Sequence, residues 1–287
     1  MFFGIGFVVV IVCVFGAYAS HGGHLGVLWQ PAEVVIIFGA AIGAYIIANP
    51  KSVLTGTISG LKAMIAGSPY NKQSYLELLS LLYTIFKLAK SKGMLALEAH
   101  VENPHESSIF NQFPGIQHNH HAMEFLCDYL RMMTLGTDNS SEIEDLMNEE
   151  LDTHHHELEQ IPTAVQGMAD GMPALGIVAA VLGVIHTMGS LTEPPEVLGH
   201  LIGAALVGTF LGVLMSYGFI APIASSIKAV YEAESKYFQC IKIGLLAHLN
   251  GYAPQVSVEF ARKSIFSDIR PTFYEVEETV SALPTPA

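Results

Sequence analysis

Charge is what this 287-residue chain has least of: Asp, Glu, Lys and Arg make up 14% of it, while 51% is apolar. The shortage is uneven. Residues 1–32, 34–50, 171–192 and 197–227 carry no charged side chain, so every charge is crowded into the rest of the chain. Lys and Arg number 13 against 26 Asp and Glu, which excludes a basic nucleic-acid binder. So apolar a composition also excludes a disordered chain. Cysteine is scarce: Cys13, Cys127 and Cys240 are too scattered for a disulfide framework or a zinc site, which suits a reducing compartment for the water-facing parts. No nucleophile elbow, Walker loop, H-E-x-x-H pair or paired catalytic carboxylate occurs, so neither an enzyme nor a cofactor is expected.

What is present is four apolar runs. Residues 3–19, 172–191 and 198–221 approach or exceed the roughly 20 residues that cross a hydrocarbon core. Residues 34–48 do so only if residues 31–33 lie in the headgroup zone, with Trp29 and Tyr45 as interfacial anchors. Ala17-Tyr18-Ala19 has the form of a signal-cleavage site, but no basic residue precedes the first run, so it is expected to be retained. Basic residues are absent from 1–50 and 132–227, and they resume at Lys51 and Lys62 and again at Lys228 and Lys236. The positive-inside rule then sets 51–170 and 228–287 in the cytoplasm, with both termini inside. The expected fold is an all-α membrane protein. Residues 1–50 form the first two spans, 51–170 a helical cytoplasmic domain, 171–222 the third and fourth spans, and 223–287 a helical cytoplasmic tail.

In the cytoplasmic part, residues 71–100 place Leu76, Leu79, Tyr83, Phe86 and Leu97 near helical spacing, with a break near Gly93. Helices also follow over 121–135 and from a cap at Ser140 or Ser141. The balance over 51–170 is acidic, and residues 283–287 read as a frayed end. The histidine patches at 118, 120–121 and 154–156 lack a ligand partner at metal spacing and read as solvated surface, so no metal is expected. In the spans, Gly176, Ala179, Ala180 and Gly183 share one face, and Ala204, Gly208, Gly212 and Ser216 recur every four residues. Such faces pack against other helices, either within the chain or between copies. Thr187, Thr209, Ser216 and Tyr217 add hydroxyls that can bond back to their own helices. With Glu33 in the headgroup zone, no span holds an ionisable carboxylate, and His186 is the one titratable group deep in a span. If protons pass, a partner must supply the titrating group.

Several collinear blocks resemble the MotA family of flagellar stator proteins over nearly the whole chain. They are Gln30-Pro31-Ala32-Glu33, Val101-Glu102-Asn103-Pro104, Pro173-Ala174-Leu175-Gly176, Leu206-Val207-Gly208-Thr209, Tyr217-Gly218-Phe219-Ile220 with Pro222, and Asn250-Gly251-Tyr252-Ala253-Pro254. The resemblance implies a multi-pass inner-membrane stator subunit that forms a pentamer around MotB, whose membrane aspartate binds the permeating ion. Ion flow then turns the ring against the rotor protein FliG. It assigns the rotor contact to Lys90 and Glu98, with Glu150 as a further charged position; Lys90 stands where the family commonly has Arg, keeping the charge but losing the bidentate fork. Pro173 and Pro222 would couple ion flow to movement, and Ala180, Thr209 and Tyr217 would line the pore. Sodium-driven relatives tend to carry Thr at the position of Ala180, so H⁺ is expected here. The rival readings are an ExbB/TolQ-like energy transducer, which usually has three spans, and a non-conducting membrane scaffold.

Overall fold

In the computed structural model of the chain, residues 2–137 and 139–283 are described, and their regular structure is helical throughout. Of the expected frayed end at 283–287, residues 284–287 lie outside these residues, while Leu283 donates to the Val280 carbonyl at 3.3 Å. The helices are α1 (Phe2–Ile11), α2 (Ala17–Ser20), α3 (Pro31–Ala48), α4 (Lys51–Ala66), α5 (Lys72–Lys92), α6 (Glu98–Glu102) and α7 (Pro114–Gln117). They continue as α8 (His120–Thr134), α9 (Ser140–Met188), α10 (Pro195–Met215), α11 (Ala221–Leu249), α12 (Pro254–Lys263) and α13 (Phe273–Ser281). Single π-helical turns join α1 to α2 at Val12–Gly16 and α10 to α11 at Ser216–Ile220. The chain divides into two compact units, one of residues up to Gly67 with Glu157–Val230, the other of Ser68–His156 with Tyr231 onward.

The first unit holds the apolar helices, and four helical stretches in the chain are long and apolar enough to cross a membrane. The helices do not stop where the apolar runs stop. α9 carries Pro162 and Pro173 inside one 49-residue helix, and Pro222 is the second residue of the 29-residue α11. Both Pro173 and Pro222 are thus accommodated within continuing helical stretches. Glu33, Ile37 and Ala41 form a stripe at four-residue spacing on α3, and all three are buried. Ile37 and Ala41 pack with Met172 and Ala179 of α9.

The second unit has its own core, built from Tyr75, Leu79, Leu82 and Phe86 on α5, Leu126 and Leu130 on α8, Ile241 and Leu245 on α11, and Ala261 on α12. Local chemistry sets the ends of its helices. Asn71 opens α5 in a reciprocal cap with Ser74, and Gly93, at φ 88°, closes it where only glycine is unstrained. Thr272 and Glu275 make the equivalent cap on α13. At the start of α9 the acceptor is Asn139, which receives the Ser141 N–H, rather than either serine.

Arg262 locks α12 to the segment that follows it. Its side chain is 9% exposed, its fork donates two 2.6 Å hydrogen bonds to the Glu259 carboxylate, and Nη1 donates to the Pro271 carbonyl at 2.8 Å. This guanidinium holds the Glu259 carboxyl below the usual carboxylate range. A depressed acid stabilises the fold above its unfolded pKa and loses that contribution as pH falls through its folded value. Arg262→Gln is expected to cost about 3 kcal/mol at neutral pH. In thermal melts of the detergent-solubilised chain the gap from wild type should narrow steadily below about pH 4; a gap independent of pH would show that the carboxylate is not the partner that matters.

Candidate functional site

The site grows from a glycine seam between α9 and α10. A Cβ at Gly176 would lie 2.8 Å from the Gly208 carbonyl oxygen and 3.3 Å from Thr209 Cα, and one at Gly208 would lie 3.1 Å from the Ala180 amide nitrogen. Further along, a Cβ at Gly183 would meet Ala205 at 2.7 Å, and one at Gly212 the Met172 carbonyl oxygen at 2.7 Å. The small-residue faces thus pack on each other within one chain, and backbone meets backbone because no side chain intervenes. On α10 the residue opposite Gly183 is Ala205, one position from the expected Ala204.

Along this seam Ala180 and Thr209 are half-buried, whereas Tyr217 is 64% exposed on the π-helical turn. Thr187 donates to the Gly183 carbonyl of its own helix at 2.9 Å, as read from the sequence. Ser216 behaves differently. Pro173 has no N–H to give the carbonyl of Ala169, four residues back, and the fully buried Ser216 hydroxyl donates to that carbonyl at 2.7 Å. One proline's defect in α9 is therefore satisfied by a hydroxyl on the turn leading to the second proline. Pro222 in its turn withholds a hydrogen bond from Gly218, inside the same widened turn.

A carboxylate also lies at the seam, packed among helices rather than left on an open surface. Glu33 is buried in the first turn of α3, and its Oε2 has no hydrogen-bond partner. A Cβ built at Gly208 would sit 3.0 Å from that oxygen, and one at Gly183 would sit 3.5 Å from Oε1. The glycines leave the room the carboxylate fills. A signal was available: Glu33 is in register with Ile37 and Ala41, both apolar and at four-residue spacing. His186, by contrast, is exposed in the last turn of α9, two residues from its end.

The charged candidates all belong to the second unit. Lys90 is in the last turn of α5 and Glu98 opens α6, so the two flank the Gly93 turn. Both are exposed, and neither has an ion-pair partner among the described residues. Glu150, also exposed, is tied down: it accepts a 2.6 Å hydrogen bond from the Tyr129 hydroxyl, which burial and this carboxylate push well above the usual phenol range. The histidine patches bring His121 and His154 to 6.4 Å between ring centres, with His154 Nε2 3.9 Å from Glu234.

Four apolar helical stretches of spanning length, with α9 and α10 closed on each other through glycine, define a polytopic all-helical membrane protein. Comparison with known proteins narrows this. Residues 4–93 match the family described as Motility protein A N-terminal, and residues 117–240 match the MotA/TolQ/ExbB proton channel family. The chain is 46% identical to Motility protein A of Salmonella typhimurium and also to that of Escherichia coli, each alignment covering 98% of this chain and 96% of the relative. It is 35% identical to the chemotaxis protein LafT of Vibrio parahaemolyticus over 96% of each. Among solved structures, a chain of the flagellar MotAB stator complex of Bacillus subtilis matches with TM-score 0.70 at 26% identity, covering 89% of this chain and 92% of that one. A chain of C. jejuni MotAB shares the fold at TM-score 0.77 and 20% identity, over 92% and 95%. The chain belongs to the MotA family.

Proposed function

We propose that this chain is the ring-forming subunit of a proton-driven flagellar stator in the inner membrane, with both termini and the second unit in the cytoplasm. Five copies surround the spans of MotB, whose aspartate carries the permeating proton past Ala180 and Thr209, and the second unit pushes on FliG through Lys90, Glu98 and Glu150. The observation that carries this reading is the clasp from Ser216, four residues beyond the seam at Gly212, to the Ala169 carbonyl that Pro173 leaves without a donor. It gives the α9–α10 pair a defined place to bend without leaving a bare carbonyl, and α9 and α11 each run on as unbroken helices into the charged unit. Tyr217, exposed in a single chain, would face the ring's interior or a neighbouring copy. The methyl of Ala180 offers no oxygen to a dehydrated sodium ion, whereas a proton needs only a carboxylate and a water chain, which supports H⁺.

The reading is tested in motile cells. Lys90→Glu and Glu98→Lys should each cut torque in a bead assay, because exposed unpaired charges of this kind steer a partner over several ångströms. Unchanged torque in the double variant would remove the rotor contact. In the same cells at fixed proton motive force, speed should ignore external sodium, and a sodium-dependent speed would overturn the proton assignment. Four spanning stretches, and curated relatives that are motility proteins over their full length, weigh against an ExbB/TolQ-like transducer.

A further inference from the structure

Helix α4 follows α3 after only Asn49 and Pro50, and it is held from one side. The Tyr45 and Thr57 hydroxyls meet at 2.5 Å, Val53 and Gly60 are buried, and Gly56 fits so closely under Ile161 that a Cβ there would lie 2.6 Å from its Cδ1. At 100° per residue these positions share one face. The flank beside it carries Leu54, Leu61, Ile58 and Ile65, of which Ile58 is 59% and Ile65 76% exposed. Lys51 and Lys62 come next around the helix, about 16 Å apart along it, and Ser52, Thr55 and Ser59 lie beyond them. The helix contains no acidic residue, and neither lysine has an ion-pair partner among the described residues.

Read around its axis, α4 therefore runs from packed face to apolar flank, to ammonium groups, to hydroxyls. In water the isoleucines would be an uncompensated cost. At a bilayer surface the same order suits a helix whose isoleucines reach the acyl chains while the lysine stems snorkel to the phosphates. Helix α3, which ends just before it, likewise exposes Ile42, Ile46 and Ile47.

The geometry points to the outer face of α4 as a binding surface for anionic phospholipid, in the leaflet at which α3 ends. Lys51 and Lys62 contact the headgroups, and Ile58 and Ile65 contact the chains. This holds whatever the stator drives and whichever ion it passes.

The test uses the purified full chain in vesicles of phosphatidylcholine alone or in an equal mixture with phosphatidylglycerol, followed by detergent extraction and mass spectrometry of the retained lipid. Wild type should retain phosphatidylglycerol in preference. Each lysine removed in Lys51→Gln and Lys62→Gln should lower that preference about five-fold, while Lys62→Arg keeps it. Ile58→Ser with Ile65→Ser should reduce total retained lipid and leave the headgroup preference intact. Undiminished preference in the double glutamine variant would overturn the assignment. So would efficient disulfide cross-linking of Ile65→Cys between copies, which would give the face to a second chain instead.

Discussion

Gly212→Ala is expected to dismantle the α9–α10 seam and abolish motility, while Gly199→Ala on the same helix leaves both intact. The new methyl at 212 would stand 2.7 Å from the Met172 carbonyl oxygen and 2.9 Å from Gly176 Cα. Both are backbone atoms of a packed helix, so neither can swing aside as the end of a side chain would. The helices must separate, and separation uncovers every close approach from Gly176 to Gly183 at once. Overpacking a well-filled contact typically costs ~1–3 kcal/mol, and here the loss spreads along the seam. At Gly199 a methyl meets nothing within 4 Å, and alanine is the better helix former by ~1 kcal/mol. Thermal unfolding of the purified variants and a swarm assay together decide it. Equal midpoints for the two alanine variants would show that the seam does not depend on glycine at 212.

The second large effect is expected at Ser216, through its dependence on Pro173. Ser216→Ala leaves the Ala169 carbonyl buried and without a donor, a cost of ~1–3 kcal/mol. Pro173→Ala restores an N–H four residues on from that carbonyl, so in that background the serine becomes dispensable. The double-mutant cycle should accordingly be non-additive by about 1 kcal/mol or more. Strict additivity in thermal stability would mean that Ser216 and Pro173 act separately. Torque in the Pro173→Ala chain distinguishes a bend needed for motion from one merely tolerated: a stabilised but motionless stator is the expected result.

Much of this was legible in the residues. The uncharged runs located the apolar helices, because a charge inside hydrocarbon is costly enough to be excluded from long stretches of sequence. The glycine faces announced a close helix pair, since only small side chains allow backbones to touch. Gly93 announced the end of α5. The burial of Glu33 was only hinted at, by its register with Ile37 and Ala41. Directly before an apolar run, a carboxylate reads as its polar boundary, and the room left by Gly183 and Gly208 on other helices is what admits it. The sequence could not show Ser216 reaching Ala169, 47 residues away, because a hydroxyl on a helix has an acceptor in its own preceding turn and sequence spacing favours that one.

The cysteines, scarce as they are, decide how such motions can be watched. Cys127 is buried, with its thiol pushed up to about 12 by desolvation, and Cys240 is fully buried with its S–H directed to the Ala261 carbonyl at 3.3 Å. The remaining cysteine, Cys13, is exposed in the π-helical turn that follows α1. A water-soluble maleimide therefore meets no reactive thiolate in the second unit. A probe attached through a cysteine introduced at Lys90 or Glu98 would then be the one label in the second unit, and Cys13→Ser would remove the exposed thiol of the first.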